Sequence, residues 1–246
     1  DLTYPSLKKT LDKLMIGKKT GIELPGESRG ILDQKENITP LRLSNISFGQ
    51  GVATTGIQML ASYASVANGG HYVKPTLLKI EDKKSIVKRK VFSKKTSQNI
   101  TEILEQAVSD GTGKNARIKH FEIAGKTSTA QRIDKKGVYS GYISGFIGYP
   151  VNIDKKFIVF VYIDNPKKGY YGNTVAAPIF KKIVKNILYK DKEYSQMARV
   201  KGSQSSMDNI SVKYSARRRI RKGYVPNLIG LDKESAFNVL GKRMIE

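Results

Sequence analysis

The sequence predicts an α/β (α+β) fold in which helices pack against an antiparallel sheet. Two strand-like runs, 142–149 and 157–163, flank a polar turn around 152–156, the pattern of an antiparallel hairpin. A third strand-like segment starts at Phe121-Glu122-Ile123 and continues through Gly125 and Lys126. Around these strands apolar residues recur at helical spacing, so each such stretch offers one apolar face to a sheet.

The first helical stretch covers residues 4 to 16, with Leu7, Leu11, Leu14 and Met15 on one face and Gly17 as a stop. Thr20-Gly21-Ile22-Glu23-Leu24-Pro25-Gly26-Glu27 follows as a loop, because its glycines and proline favour turns. Thr55 to Asn68 reads as a helix with Ile57, Leu60, Ala61, Ala64 and Ala67 inward; Thr55 and Gln58 have capping-box spacing, and Gly69-Gly70 ends it. A third helix, near 97–109, carries Ile100, Ile103, Leu104, Ala107 and Val108. The last runs from about Ala176 to Tyr189, with Pro178 in its first turn and Ile179, Ile183, Val184, Ile187 and Leu188 as its apolar face.

Beyond residue 190 periodicity disappears, and serines and charges dominate through the basic run Arg217-Arg218-Arg219-Ile220-Arg221-Lys222. Residues 191–222 therefore read as a linker. A new apolar pattern opens at Tyr224-Val225-Pro226-Asn227-Leu228-Ile229-Gly230-Leu231, but residues 223–246 are too few to bury a core and read as the start of a truncated module. Residues 1–190 are the expected main domain. The chain starts at Asp1 in what reads as mid-domain sequence, so we expect a fragment of a longer protein.

Composition narrows the chemistry. With no cysteine, the chain has neither disulfides nor a thiolate nucleophile, and two isolated histidines, His71 and His120, fit surface or boundary packing better than a metal centre. No apolar run reaches the roughly 18 residues of a membrane span. The formal charge of +23 favours anionic partners, although the lysines are spread along the chain and often stand beside acids.

One segment stands out chemically: Ala124-Gly125-Lys126-Thr127-Ser128-Thr129-Ala130-Gln131. On a strand, a lysine followed by three hydroxyl residues presents a cation, hydroxyls and backbone N–H groups to an anionic acyl substrate. It resembles the third motif, Lys-Thr-Gly-Thr, of the penicillin-binding transpeptidases. Three further segments match the class B penicillin-binding proteins in that family's order: the Thr20–Glu27 loop, Gly49-Gln50-Gly51 through Asn68-Gly69-Gly70, and Tyr170-Tyr171-Gly172-Asn173-Thr174-Val175-Ala176-Ala177-Pro178. Asp110-Gly111-Thr112-Gly113 matches the segment ahead of the active-site strand. The tail from Val225 resembles the opening of a PASTA module, which in the family is associated with wall binding.

The resemblance implies a penicillin-binding transpeptidase or serine β-lactamase-like fold, here incomplete, and a serine-type D,D-transpeptidase that forms an acyl-enzyme and is acylated by β-lactams. It implies no cofactor. Lys126 would supply positive charge to the serine relay and the substrate carboxylate, and the Thr129 backbone N–H would form half of the oxyanion hole. Thr127 would donate to that carboxylate. Ser128, also beside the substrate, stands where the family has glycine, which adds a β-carbon and a hydroxyl at that surface.

By the same resemblance the partners are peptidoglycan stem peptides, β-lactams and a glycosyltransferase or another member of the division or elongation machinery. The location is the extracytoplasmic (periplasmic) face of the cell membrane, with an N-terminal transmembrane anchor.

Ser6-Leu7-Lys8-Lys9 and Ser85-Ile86-Val87-Lys88 both fit the nucleophile pattern Ser-x-x-Lys, but in the family that motif precedes the Thr-Gly-Ile loop by tens of residues. Both serines are assigned to surface, and the nucleophile is expected upstream. Gly111-Thr112-Gly113-Lys114 is not a phosphate loop, since Val108 and Asn115 stand where that motif needs glycine and Ser or Thr; Gly111 and Gly113 are instead expected to provide the turn that ends the helix and leads to the active-site strand. A carboxypeptidase, a β-lactamase and a non-catalytic wall-binding or scaffold protein remain as alternatives. No nucleic-acid partner is expected, because the basic run at 217–222 has no interleaved aromatics.

Overall fold

The computed structural model describes residues 3–33, 38–82, 86–133, 138–191 and 194. The expected linker and PASTA-like tail fall outside these residues apart from Asp191 and Tyr194, as does Ser85. The chain divides into two compact units, 1–185 and 186–246.

The antiparallel sheet is present. It has the order β3-β4-β5, with β3 at Ile123–Ile133, β4 at Tyr139–Pro150 and β5 at Val159–Asp164. The register runs Ile123↔Pro150 through Ser128↔Gly145 to Gln131↔Tyr142, with an irregularity between Gln131 and Ile133. Because side chains alternate across a strand, Ala124, Lys126 and Ser128 share one face of β3, while Thr127 and Thr129 point to the other. A second, two-stranded sheet pairs β1 (His71–Val73) with β2 (Lys88–Lys90). Neither short strand was legible in the sequence, because three residues carry no measurable period.

Helices cover both faces of the larger sheet. On the Ala124 face, Ala124 and Tyr149 pack with Leu104 of α4 (Lys94–Ser109), and Tyr63 and Ala67 of α3 (Gly56–Ala67) close over them. On the other face the rings of Phe146 and Phe180 meet at 4.6 Å, which seats α5 (Gly172–Lys190) against β4. Gly125 permits this packing: a β-carbon there would lie 2.7 Å from the Phe146 ring.

The capping box on α3 forms as expected. The Thr55 hydroxyl accepts from the Gln58 N–H at 3.2 Å, and the Gln58 side chain accepts from the Thr55 N–H at 2.9 Å. Gln58 does more than cap. It is fully buried, and its Nε2 also reaches the carbonyls of Met15, Lys18 and Arg29 at 2.7–3.1 Å. One amide thereby ties the turn after α1 (Tyr4–Lys13) and the two flanks of the Thr20–Glu27 loop to α3. Beside it, the Glu27 carboxylate accepts from the Thr20 N–H, the Thr20 hydroxyl and the Gly21 N–H.

Several helical expectations need correction. Helix α5 begins at Gly172, four residues before Ala176, so Pro178 lies inside the helix and not in its first turn. Its buried side is Ala176, Ala177, Phe180, Val184 and Leu188, whereas Ile179, Ile183 and Ile187 are each about 40% exposed. The aromatic ring of Phe180 and the small alanines fit the sheet, and the isoleucine row beside them turns outward. Ile103 of α4 is likewise exposed. On α3 Ala61 of the expected apolar face is buried, but Ile57, Leu60, Ala64 and Ala67 are half-buried and line a groove of about 830 Å³ with the β4–β5 turn, while polar Gln58 and Ser65 are fully buried. Helix α2 (Pro40–Ser47), capped by the Thr39 hydroxyl, has no clear sequence signature, because Leu41, Leu43 and Ile46 form no continuous stripe.

Candidate active site

Lys126 and its three hydroxyl neighbours lie on β3, an edge strand of the described sheet. An edge strand leaves alternate backbone N–H and C=O groups free to pair with an extended ligand. Lys126 is exposed, and its Nζ donates to the Thr127 carbonyl and hydroxyl oxygens at 3.3–3.4 Å, long contacts beside which a third N–H stays open.

The four residues take four different local partners. Thr127 donates its hydroxyl to Thr112 Oγ1 at 3.2 Å, which brings the turn after α4 up to the strand. The expected turn at Gly111 and Gly113 is present: their N–H groups close onto the Gln106 and Ala107 carbonyls. The Ser128 hydroxyl lies over Gly145, its cross-strand partner. Thr129 accepts at its hydroxyl from the Gly172 N–H at 3.2 Å, the first residue of α5. The strand thus gathers a cation and a hydroxyl pair beside the free backbone groups of its edge, an arrangement suited to holding a carboxylate and a developing oxyanion.

Three features of the site escaped the sequence. Thr112 sits in a turn, and nothing in the local sequence signals that its hydroxyl meets Thr127. The aromatic group Tyr142, Tyr170 and Tyr171 flanks the far end of β3, with Tyr142 and Tyr170 stacked at 4.4 Å and Tyr171 4.4 Å from Tyr170. Tyr142 pairs with Gln131, and the Ser144 hydroxyl donates to the Tyr170 carbonyl, which fixes this loop beside Thr129. The Tyr170 hydroxyl donates to that of Tyr171, an interaction that raises the Tyr170 phenol pKa. Gly172 also approaches the strands closely, and a β-carbon there would overlap the Gly145 carbonyl and lie 2.7 Å from that of Ser128. The Tyr170-Tyr171-Gly172 run was the only advance signal.

The remaining candidates stay apart from this strand in chemistry. Ser6 is exposed in the first turn of α1, His71 is exposed on β1, and His120 is half-buried with a positive φ of 71°. Among the described residues no group of three or more His, Asp and Glu is placed to hold a metal ion, and no helix is long and apolar enough to cross a membrane.

The sequence of residues 1–185 matches the family model for the penicillin binding protein transpeptidase domain. The chain belongs to this family. Among its relatives are stage V sporulation protein D of Bacillus subtilis, 38% identical over 184 residues, and the peptidoglycan D,D-transpeptidase FtsI of Escherichia coli K12, 30% identical over 195. Those alignments cover 70% and 76% of this chain but only 28% and 32% of the relatives, so the chain spans about a third of their length or less.

Solved penicillin-binding structures agree. The transpeptidase domain of Burkholderia pseudomallei penicillin-binding protein 3 aligns with a TM-score of 0.70 at 25% identity, over 77% of this chain and 58% of that one. Penicillin-binding protein 3 of Mycobacterium tuberculosis, solved in complex with aztreonam, aligns at 0.67 and 27% identity, over 76% and 46%. The mixed α/β architecture expected from the sequence is therefore that of a penicillin-binding transpeptidase domain.

Proposed function

We propose that this chain forms the β3 side of the active site of a serine-type peptidoglycan D,D-transpeptidase. The supporting observation is the cluster of exposed Lys126 with the Thr127–Thr112 hydroxyl pair on an edge strand, in a chain of this family. In the reaction, a serine from the parent protein outside these residues attacks the carbonyl of a D-Ala-D-Ala peptide bond. D-Ala leaves with a proton, and the amine of a neighbouring stem peptide then displaces the serine from the ester. A β-lactam takes the same path as far as the acyl-enzyme, its ring opening in place of the departing D-Ala.

Each residue on the strand has a role in that scheme. Lys126 holds positive charge near the serine relay and the substrate carboxylate, Thr127 turns its hydroxyl from Thr112 to donate to that carboxylate, and the Thr129 N–H supplies half of the oxyanion hole. Ser128 borders the bound acyl chain. The working partners are stem peptides, β-lactams and a glycosyltransferase or other component of the wall-building machinery. The parent acts at the extracytoplasmic face of the membrane, tethered by an N-terminal helix. The aztreonam complex of the Mycobacterium tuberculosis relative supports the β-lactam part of this reading.

Covalent labelling of the full-length parent by a fluorescent penicillin tests it, with Lys126→Ala alongside. Labelling that drops sharply in the variant is the expected result. A folded parent that takes up no label would overturn the reading in favour of a wall-binding protein without chemistry.

A further inference from the structure

The serine in the third motif has a structural counterpart on the neighbouring strand. Ser128 and Gly145 are direct partners in the β3–β4 register, so side chains at both positions would project from the same face and compete for the same space. Gly145 has none, and the Ser128 hydroxyl occupies the vacated space: a β-carbon on Gly145 would overlap Ser128 Oγ. Everything else near that position is tolerant. The next atoms are Phe160 Cε2 at 3.4 Å and the Val161 carbonyl at 3.5 Å, ordinary van der Waals distances, and Gly145 has no positive φ to forbid a side chain.

On the opposite face Gly172 lies close to the backbone of the same pair, where a β-carbon would overlap the Gly145 carbonyl, so the strands have little room to move toward α5. A larger residue at 145 would therefore drive the Ser128 hydroxyl out of its resting place. Ser128 shares its face with Lys126 and is itself exposed, so the displaced hydroxyl would enter the space beside the lysine.

We propose that Gly145 is a positioning residue for acyl transfer, holding the Ser128 hydroxyl down on the sheet so that a serine can stand in the third motif without obstructing the acyl donor. This rests on the transpeptidase reading above. The specific prediction is a coupling: the effect of a side chain at 145 depends on what stands at 128.

The test is a double-mutant cycle in the full-length parent, comparing wild type, Gly145→Ala, Ser128→Gly and the double variant. Two readouts are taken, the rate of acylation by a fluorescent penicillin and the thermal unfolding midpoint. Gly145→Ala is expected to slow acylation at least tenfold when residue 128 is serine, and less than twofold when it is glycine. It should also lower the unfolding midpoint more in the serine background than in the glycine background. Equal effects of Gly145→Ala in both backgrounds, on both readouts, would overturn the proposal, because the alanine would then act without Ser128. If the parent is not acylated at all, the transpeptidase reading fails and takes the role in acyl transfer with it. The unfolding midpoints still decide whether Gly145 holds Ser128.

Discussion

Gly172 donates its backbone N–H to the Thr129 hydroxyl at 3.2 Å, which ties the start of α5 to the middle of the candidate active-site strand. A helix terminus that leaves this donor unpaired loses a hydrogen bond worth about 1 kcal/mol. Thr129→Val keeps the shape and removes the acceptor. It is expected to cost about 1 kcal/mol in urea unfolding and to slow penicillin acylation, while Thr129→Ser retains both properties. A valine variant with wild-type stability would mean that the contact is not formed in solution.

Lys126 is exposed and makes only long contacts with Thr127. Lys126→Ala should therefore leave stability within about 0.5 kcal/mol of wild type. Acylation should nevertheless fall by roughly 100-fold or more, the scale of losing one preorganised electrostatic contact. Measuring both on the same preparation separates a chemical role from a folding defect.

Gln58 is fully buried and serves a backbone N–H and three carbonyls with one amide. Gln58→Leu fills the space but strands those groups without partners. At about 1–3 kcal/mol for each buried polar group left unsatisfied, denaturant unfolding should show a loss of at least 3 kcal/mol. A loss under 1 kcal/mol would show that water replaces the amide.

Gly125 lies beneath the Phe146 ring, where a β-carbon would come within 2.7 Å of the ring edge and 3.0 Å of the Ile147 carbonyl. Gly125→Ala is expected to destabilise by about 1–3 kcal/mol through overpacking. Pairing it with Phe146→Leu should recover part of the loss, as thermal unfolding of the two variants would show.

Glu27 titrates with the fold. Burial pushes its carboxyl up, but the hydrogen bonds from the Thr20 side chain and the Thr20 and Gly21 N–H groups outweigh that and hold it below the ordinary glutamate value. A depressed folded-state pKa contributes stability that is present above the unfolded value of about 4.3 and is lost as pH falls through the lower folded value. Glu27→Gln should be less stable than wild type at pH 7, and the gap should close as pH drops below about 4. Unfolding midpoints between pH 3 and 7 check this, and a gap that stays constant would assign the loss to packing.

Local rules were legible in the chain itself. The Thr55–Gln58 capping box, the stops at Gly69-Gly70, the turn at Gly111 to Gly113 and the β4–β5 hairpin all depend on residues close in sequence. So does the order of side chains on β3, since strand alternation follows from the backbone. Helix faces were read less well. In α5 two apolar rows stand side by side, and periodicity says which residues share a row but not which row meets the sheet. Phe180 reaches Phe146, and that contact turned Ile179, Ile183 and Ile187 outward.

The sequence by itself determined the fold class, the candidate strand from Ala124 to Gln131 and the family resemblance, because each rests on short spacings that the chain carries everywhere. Only the tertiary structure decided that Gln58 would be a buried hub, that Thr112 would reach Thr127, and that Gly145 would leave room for Ser128. Those relationships join residues 15 to 43 positions apart, and a pairing over such distances is set by the sheet register and helix packing that bring them together.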